Sequence, residues 1–203
     1  MAAPITHIVL AKKVFRKHFN SKNRAEFFVG TSLPDIRYFD NLDRDKTHSS
    51  NLRLEDIKQE SSFMAGFKFH SLVDEVHNKF FPLKDNPLFR EPIEITAISL
   101  KFFEDDLFYG CLSDWEGISI FFDSLLEEEL KYNDRSDILA WHQSLKKYFL
   151  QAPSFESRRD FLKTSDFSDE RAKEIESFVE QMKKMPQVKE LAQEFYDNFE
   201  DLI

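Results

Sequence analysis

The stretch that decides the fold is residues 63–78, which read FMAGFKFHSLVDEVHN. Its apolar residues recur at helical spacing, so we expect one long helix over residues 54–81, which Pro82 stops. The whole chain favours helices for a related reason: its 203 residues include only 4 glycines and 7 prolines. The sequence therefore predicts an all-α fold, a compact bundle of several helices.

One face of this helix carries polar residues among apolar ones. His70, Asp74 and His77 follow one another at spacings of four and three, which places them on the same side. Burying an unpaired carboxylate is costly, and a cation would remove that cost. Two imidazoles and a carboxylate are ligands that zinc and similar metals prefer. The alternative is a stripe that is partly exposed or paired with itself.

Outward from this helix, most of the chain shows the same helical periodicity. Thr6 is expected to cap a first helix that runs through about Phe19, and a short helix follows over residues 22–31. Later helices are expected over residues 93–108, 115–132, 138–150, 157–162, 169–185 and 188–202. No linker or repeat divides residues 1–203, so we expect one domain. In it, the helices of residues 154–203 pack on a metal site formed within residues 1–81.

Residues 32–51 are predicted to form a long loop rich in polar side chains. A structureless loop of this length inside a domain is usually functional or disordered. It contains Asp35 and His48, and His7 opens the first helix before it. Together with His70 and Asp74, these residues offer metal ligands from two helices and the loop between them, and ligation would order the loop.

Four segments of this region resemble the zinc-dependent phospholipase C family and, more distantly, the fungal single-strand nucleases that share its helical fold. They are residues 6–11 (THIVLA), 28–36 (FVGTSLPDI), 47–49 (THS) and 63–74 (FMAGFKFHSLVD). The resemblance covers roughly residues 4–81 and rests on the order and spacing of the four segments together. It implies an all-α fold with a cluster of up to three zinc ions.

The resemblance also implies roles for individual residues. Asp35, His48, His70 and Asp74 would form one zinc site, and Asp74 would bridge toward a second ion near His7. The carboxylate that matches Asp35 is the candidate base that helps to activate water. His77 is a further candidate ligand, although the family's next histidine comes somewhat later in the chain.

Two features depart from the family pattern. The family completes another site with a histidine followed one turn later by glutamate, whereas His142 is followed by Lys146 here. Secreted members also use the amine of the mature N-terminus, and no signal peptide is evident at this start. We therefore expect one or two zinc ions, with other divalent metals as alternatives.

Composition and charge restrict the class of partner. The net charge of −9 disfavours stable binding to nucleic acid. The single cysteine, Cys111, excludes an intrachain disulfide and a cysteine-based zinc site. No apolar run is long enough to span a bilayer, and we expect a cytoplasmic protein of undetermined oligomeric state. The acidic run Glu104-Asp105-Asp106 is expected to be solvated or, alternatively, to supply one further ligand.

The favoured function is a metal-dependent hydrolase of a phosphoester, in which metal-activated water is the nucleophile. Its substrate would be a small phosphoester or a phospholipid headgroup. One alternative is a non-catalytic helical binding protein, stabilised by metal, that retains part of an ancestral site. A second is a phosphohydrolase of the HD type, but the chain contains no contiguous His-Asp pair.

Overall fold

The structure, a computed structural model, describes residues 3–38, 42–84, 86–89, 92–165 and 167–203. Over these residues the chain is all-α and contains no strand, which confirms the predicted fold class. The α-helices are α1 Pro4–His18, α2 Arg24–Ser32, α3 Arg44–Thr47, α4 Leu54–Lys58, α5 Ser62–Phe80, α6 Ile93–Phe108, α7 Trp115–Ser119, α8 Arg135–Phe149, α9 Phe155–Lys163, α10 Asp169–Lys183 and α11 Pro186–Leu202. Short 3-10 helices lie at Leu33–Tyr38, Tyr109–Cys111, Ile120–Phe122 and Glu127–Lys131.

The helix expected over residues 54–81 is two helices, so the prediction of a single one was wrong. α4 ends at Lys58, and α5 begins at Ser62. The Ser61 side chain accepts a hydrogen bond from the Met64 amide at 3.3 Å, which caps α5. This cap marks a new helix start that the apolar periodicity does not show.

α2 and α5 pack closely against each other, and two glycines make the approach possible. A Cβ atom on Gly66 would lie 1.9 Å from the carbonyl oxygen of Phe27, and one on Gly30 would lie 2.1 Å from that of Phe63. The backbone of each helix therefore contacts the backbone of the other at a glycine. This crossing holds the second half of α5, which carries the candidate ligands, against the end of α2.

Two more boundaries differ from the sequence predictions. The described part of residues 32–51 is not structureless, because the 3-10 helix Leu33–Tyr38 continues directly from α2 and α3 lies further along the segment. For residues 39–41 the loop prediction lies outside the described residues. Leu33 and Ile36 are buried in the core, so apolar burial also orders this segment. The helix expected over 115–132 is broken into short pieces, of which α7 ends at Ser119.

The remaining helices surround this pair. α6 packs against α1 and α10, and α11 contacts α1, α5 and α10. The core between them is rich in phenylalanine, with Phe27, Phe69 and Phe199 among its fully buried side chains. Within the described residues, no helix combines the length and apolar character that crossing a membrane requires.

Candidate metal centre

Five of the six predicted ligands meet at one place in the core. His7 comes from α1, Asp35 from the 3-10 helix, His48 from the residue after α3, and His70 and Asp74 from α5. Their ligand atoms form two groups that share His70, and within each group the atoms lie within 4.8 Å of one another. The first group is His7, His70 and Asp74, and the second is Asp35, His48 and His70.

The distances between these atoms are longer than those of good hydrogen bonds. Nε2 of His7 lies 3.5 Å from Oδ1 of Asp74, and Nε2 of His48 lies 3.4 Å from Oδ2 of the same carboxylate. Nε2 of His70 lies 3.9 Å from Asp74 Oδ2 and 3.7 Å from Asp35 Oδ1. A hydrogen bond between such atoms is normally 2.7–3.2 Å long.

The outer nitrogen of each imidazole binds a neighbouring group. Nδ1 of His7 lies 3.1 Å from the Ala3 carbonyl oxygen, and Nδ1 of His70 lies 2.9 Å from that of Thr31. A carbonyl oxygen only accepts, so Nδ1 carries the proton and donates it. In the neutral imidazole, Nε2 then presents its lone pair to the centre, as in a metal-binding histidine.

His48 is held in a similar way. Its Nδ1 lies 2.8 Å from Thr47 Oγ1, whose hydroxyl donates to the Arg44 carbonyl oxygen at 3.4 Å. The loop itself is attached to α5, because the Ser49 amide donates to Ser71 Oγ at 3.1 Å. These contacts direct Nε2 of His48 toward Asp74.

Among the residues that the structure describes, four buried atoms of the centre have no hydrogen-bond partner. They are Nε2 of His7, His48 and His70, and Oδ1 of Asp35. Lone pairs that face one another in a buried space repel and lose their solvation, which a cation between them would correct. Zinc bonds of 2.0–2.1 Å in a tetrahedron place ligand atoms about 3.3 Å apart, close to the separations seen here. The residues therefore fit a small divalent metal.

The protonation states also suit metal binding. Burial, the positive charge on His7 when it is protonated and that on His48 together lower the pKa of His70 to about 3, despite the nearby carboxylates. Burial raises the pKa of Asp35, but His70 and Lys101 outweigh it and keep that pKa below its usual value. Burial also raises the pKa of Asp74, but the imidazoles of His48 and His7 outweigh it and hold that pKa well below its usual range. At neutral pH the centre thus has ionised carboxylates and a neutral His70.

His77, the sixth predicted ligand, lies outside both groups of ligand atoms. Its Nε2 is 2.9 and 3.0 Å from the two carboxylate oxygens of Glu104, which belongs to α6. Burial raises the pKa of Glu104 to about 8 and lowers that of His77 well below its usual value. The spacing of three from Asp74 turns this imidazole toward α6 rather than toward His70.

The expectation that the acidic run 104–106 is solvated was wrong for two of its residues, because Glu104 and Asp105 are fully buried. Asp105 accepts hydrogen bonds at 2.8 Å from both the amide and the hydroxyl of Thr6, and at 3.1 Å from the hydroxyl of Tyr148. It thereby caps the first turn of α1, which begins at Pro4 rather than after Thr6. Asp105 thus fixes the turn that presents His7.

Sequence reasoning also missed Arg44. One guanidinium nitrogen lies 3.0 Å from Oδ2 of Asp74, so this side chain stabilises the ionised carboxylate at the outer edge of the centre. The only signal in the sequence was the position of Arg44 four residues before His48. His142 lacks the glutamate that the family pattern has one turn later. Its Nε2 lies 2.7 Å from Oε1 of the buried Glu129 instead.

A cavity of about 70 Å³ adjoins the centre. Asp35 lines it and is the one residue of the two ligand groups that does so. The remaining lining residues come from the chain start, the 3-10 helix, α6, α8 and the α9 region; they are Ala3, Pro4, Tyr38, Ile98, Lys101, Phe102, Trp141, Phe161, Leu162, Ser165 and Phe167. Asp35 therefore connects the ligand cluster with a space that a small molecule could enter.

Comparison with known proteins adds no relative: no family model matches the chain, and neither a curated protein nor a solved structure matches it. The resemblance to the zinc-dependent phospholipase C family stays a prediction.

Proposed function

We propose that this protein is a metal-dependent hydrolase of a phosphoester, with zinc as its favoured metal. The observation that carries the proposal is the convergence of four buried, unpartnered ligand atoms from His7, Asp35, His48 and His70 on one space beside Asp74. A bound divalent ion would supply Lewis-acid polarisation of a phosphoryl oxygen and would lower the pKa of water toward neutrality.

The side chains of the centre have different roles in this reaction. His7, His48, His70 and Asp74 would hold the ion, and the outer contacts of the three histidines fix the orientation of each imidazole. Asp35 faces both the ligand cluster and the cavity, so its carboxylate is in a position to orient the attacking water and take its proton. The pKa of Asp35 lies below its usual value, so the carboxylate is ionised and can accept a hydrogen bond from that water.

The cavity distinguishes this proposal from a purely structural metal site. A structural zinc site is closed by four protein ligands, whereas a catalytic one keeps a position for water or substrate. Because Asp35 lines the cavity, the centre has a route toward a bound substrate. The alternative function, a metal-stabilised binding protein, predicts the same ligand cluster without turnover.

The test compares wild-type protein with Asp35→Asn. Both are loaded with zinc, dialysed, analysed for metal content and assayed with 4-nitrophenyl phosphate and bis(4-nitrophenyl) phosphate. We expect kcat to fall by about 100-fold or more, as for the loss of a general base. Much of the zinc should stay bound through His48, His70 and Asp74.

Asp56→Asn is the matched control, because Asp56 is exposed, pairs with Arg53 and lies outside the centre. It should retain both metal and activity. Wild-type protein that binds zinc but turns over no phosphoester in a broad panel would favour the structural alternative. Wild-type protein that binds no divalent metal would overturn both functions.

A further inference from the structure

Lys101 stands between two cavities next to the metal centre. It interrupts the apolar run of α6 and is half-buried. Its side chain lines the small cavity together with Asp35, and it also lines a larger cavity of about 430 Å³ together with His77. Tyr38, Ile98 and Phe167 likewise line both cavities, which makes them neighbouring parts of one cleft.

The charge of Lys101 acts directly on this cleft. Its ammonium is near enough to Asp35 to lower the pKa of that carboxyl group. It also lies 5.9 Å from the centre of the Tyr38 ring, on which the Arg37 guanidinium stacks at 4.1 Å. In a chain with a net charge of −9, Lys101 thus places a positive charge at the cleft, beside the carboxylates of Asp35 and Glu94.

The larger cavity is mainly apolar beside Lys101. Phe81, Leu83 and Ala97 line it with the shared residues, and Asn78, Glu94 and Arg171 add polar groups to its wall. Its volume is in the range of sites that take a small organic group. The cleft thus offers ligand atoms at one end, an ammonium in the middle and an apolar space at the other end.

We propose that Lys101 is a substrate-binding residue whose ammonium holds the anionic phosphoryl oxygens of the ester, while the organic group of the ester occupies the larger cavity. This inference rests on the proposed function, because it assigns the substrate of the same centre. It names the substrate class as a phosphoester with a compact apolar or aromatic organic group.

The first experiment measures binding without turnover. Zinc-loaded, dialysed protein is titrated calorimetrically with inorganic phosphate at pH 8. Lys101→Met should weaken phosphate binding by about tenfold or more, the usual effect of losing a charged hydrogen bond. Lys101→Arg should restore much of the affinity, since it keeps the positive charge.

Lys189→Met is the control, because Lys189 is exposed on α11 and its replacement changes the net charge equally. It should bind phosphate as the wild type does, and all variants should contain equal zinc. Unchanged phosphate affinity in Lys101→Met with normal zinc content would overturn the proposal. So would a zinc-loaded wild type that binds no phosphate.

The second experiment tests the larger cavity. Phenylphosphonate, which is not hydrolysed, should bind the wild type more tightly than inorganic phosphate. Ala97→Phe should remove this advantage and leave phosphate affinity unchanged, because Ala97 lines the larger cavity and not the small one. Equal binding of both anions by the wild type would contradict the assignment of the organic group. Both experiments read binding alone. A protein that binds these anions without hydrolysing esters would refute the proposed function, while the anion-binding role of Lys101 would stand, so the two failures can be told apart.

Discussion

Buried histidines meet buried carboxylates in two regions of this molecule, with different results. Outside the centre, His77 lies 2.9 and 3.0 Å from Glu104, and His142 lies 2.7 Å from Glu129. At the centre, the imidazole nitrogens stay 3.4 to 3.9 Å from the oxygens of Asp35 and Asp74. The first kind of contact is a completed hydrogen bond, whereas the second leaves room for an ion.

Burial and residue type therefore do not identify a metal site by themselves. All these histidines and carboxylates are polar groups in the core or at its edge. Nε2 of His77 and of His142 each bind one carboxylate, while Nε2 of His7, His48 and His70 find no hydrogen-bond partner in the described part of the chain. Convergent atoms without partners mark the site, because only they gain from a cation.

The largest expected effect is on the zinc content of a variant that lacks the negative charge of Asp74. Asp74→Asn should abolish most zinc binding, because Asp74 lies next to three imidazoles and carries the charge that an ion would balance. Removing a buried ligand of this kind affects binding far more than a distant change. Elemental analysis of untagged, zinc-loaded and dialysed protein measures the effect.

His142→Gln is the control for this substitution, since it alters a buried imidazole of the paired region. Glutamine at this position can still donate to Glu129, and the zinc content should equal that of the wild type. Equal retention of zinc by the two variants would show that unpartnered atoms do not distinguish the regions.

A second prediction concerns the crossing of α2 and α5, which supports the centre. Gly66→Ala places a methyl group 1.9 Å from the Phe27 carbonyl oxygen, so α5 must move away from α2. We expect the free energy of unfolding to fall by about 2–3 kcal/mol. Zinc affinity should also fall, because the Thr31 carbonyl that holds His70 belongs to α2. Denaturant unfolding and zinc titration measure the two effects.

Gly110→Ala is the matched control, because a Cβ atom there would meet nothing within 4 Å. Its effect on stability should stay within about 0.5 kcal/mol, and zinc affinity should not change. If Gly66→Ala behaved in the same way, the close approach of α2 and α5 would have no role in the centre.

The proximity of two of the candidate ligands could be predicted from the sequence because their spacing is local. The spacing of His70 and Asp74 places both on one face of a helix, and the structure brings them together with His7, Asp35 and His48. The helical fold class was predictable from periodicity for the same reason. Helix boundaries were less so, since the Ser61 cap that begins α5 leaves no trace in the apolar pattern.

The supporting residues could not be predicted, because their partners are distant in the chain. Asp105 caps a turn 99 residues away at Thr6, and nothing in the pattern of residues 104–106 indicates that one of these acidic side chains is buried. His77 shared the helical face of Asp74, and only the packing of α6 revealed that Glu104 binds it. These contacts depend on how the helices pack.

The smallest expected effect lies in the paired region and concerns pH. Burial raises the pKa of Glu104 to about 8, well above its value in an unfolded chain. The folded state therefore favours the protonated form. This contribution to stability is complete below about pH 4.3 and is lost as the pH rises through about 8.

Glu104→Gln has no proton to lose, so between pH 6 and pH 7 its unfolding free energy should decrease by about 1 kcal/mol less than that of the wild type. Denaturant unfolding of zinc-free protein measures the difference, with Glu190→Gln on the exposed side of α11 as a control that follows the wild type. Parallel pH profiles for Glu104→Gln and wild type would show that Glu104 is already ionised beside His77, and the paired region would then contain a charge that needs a partner, as the centre does.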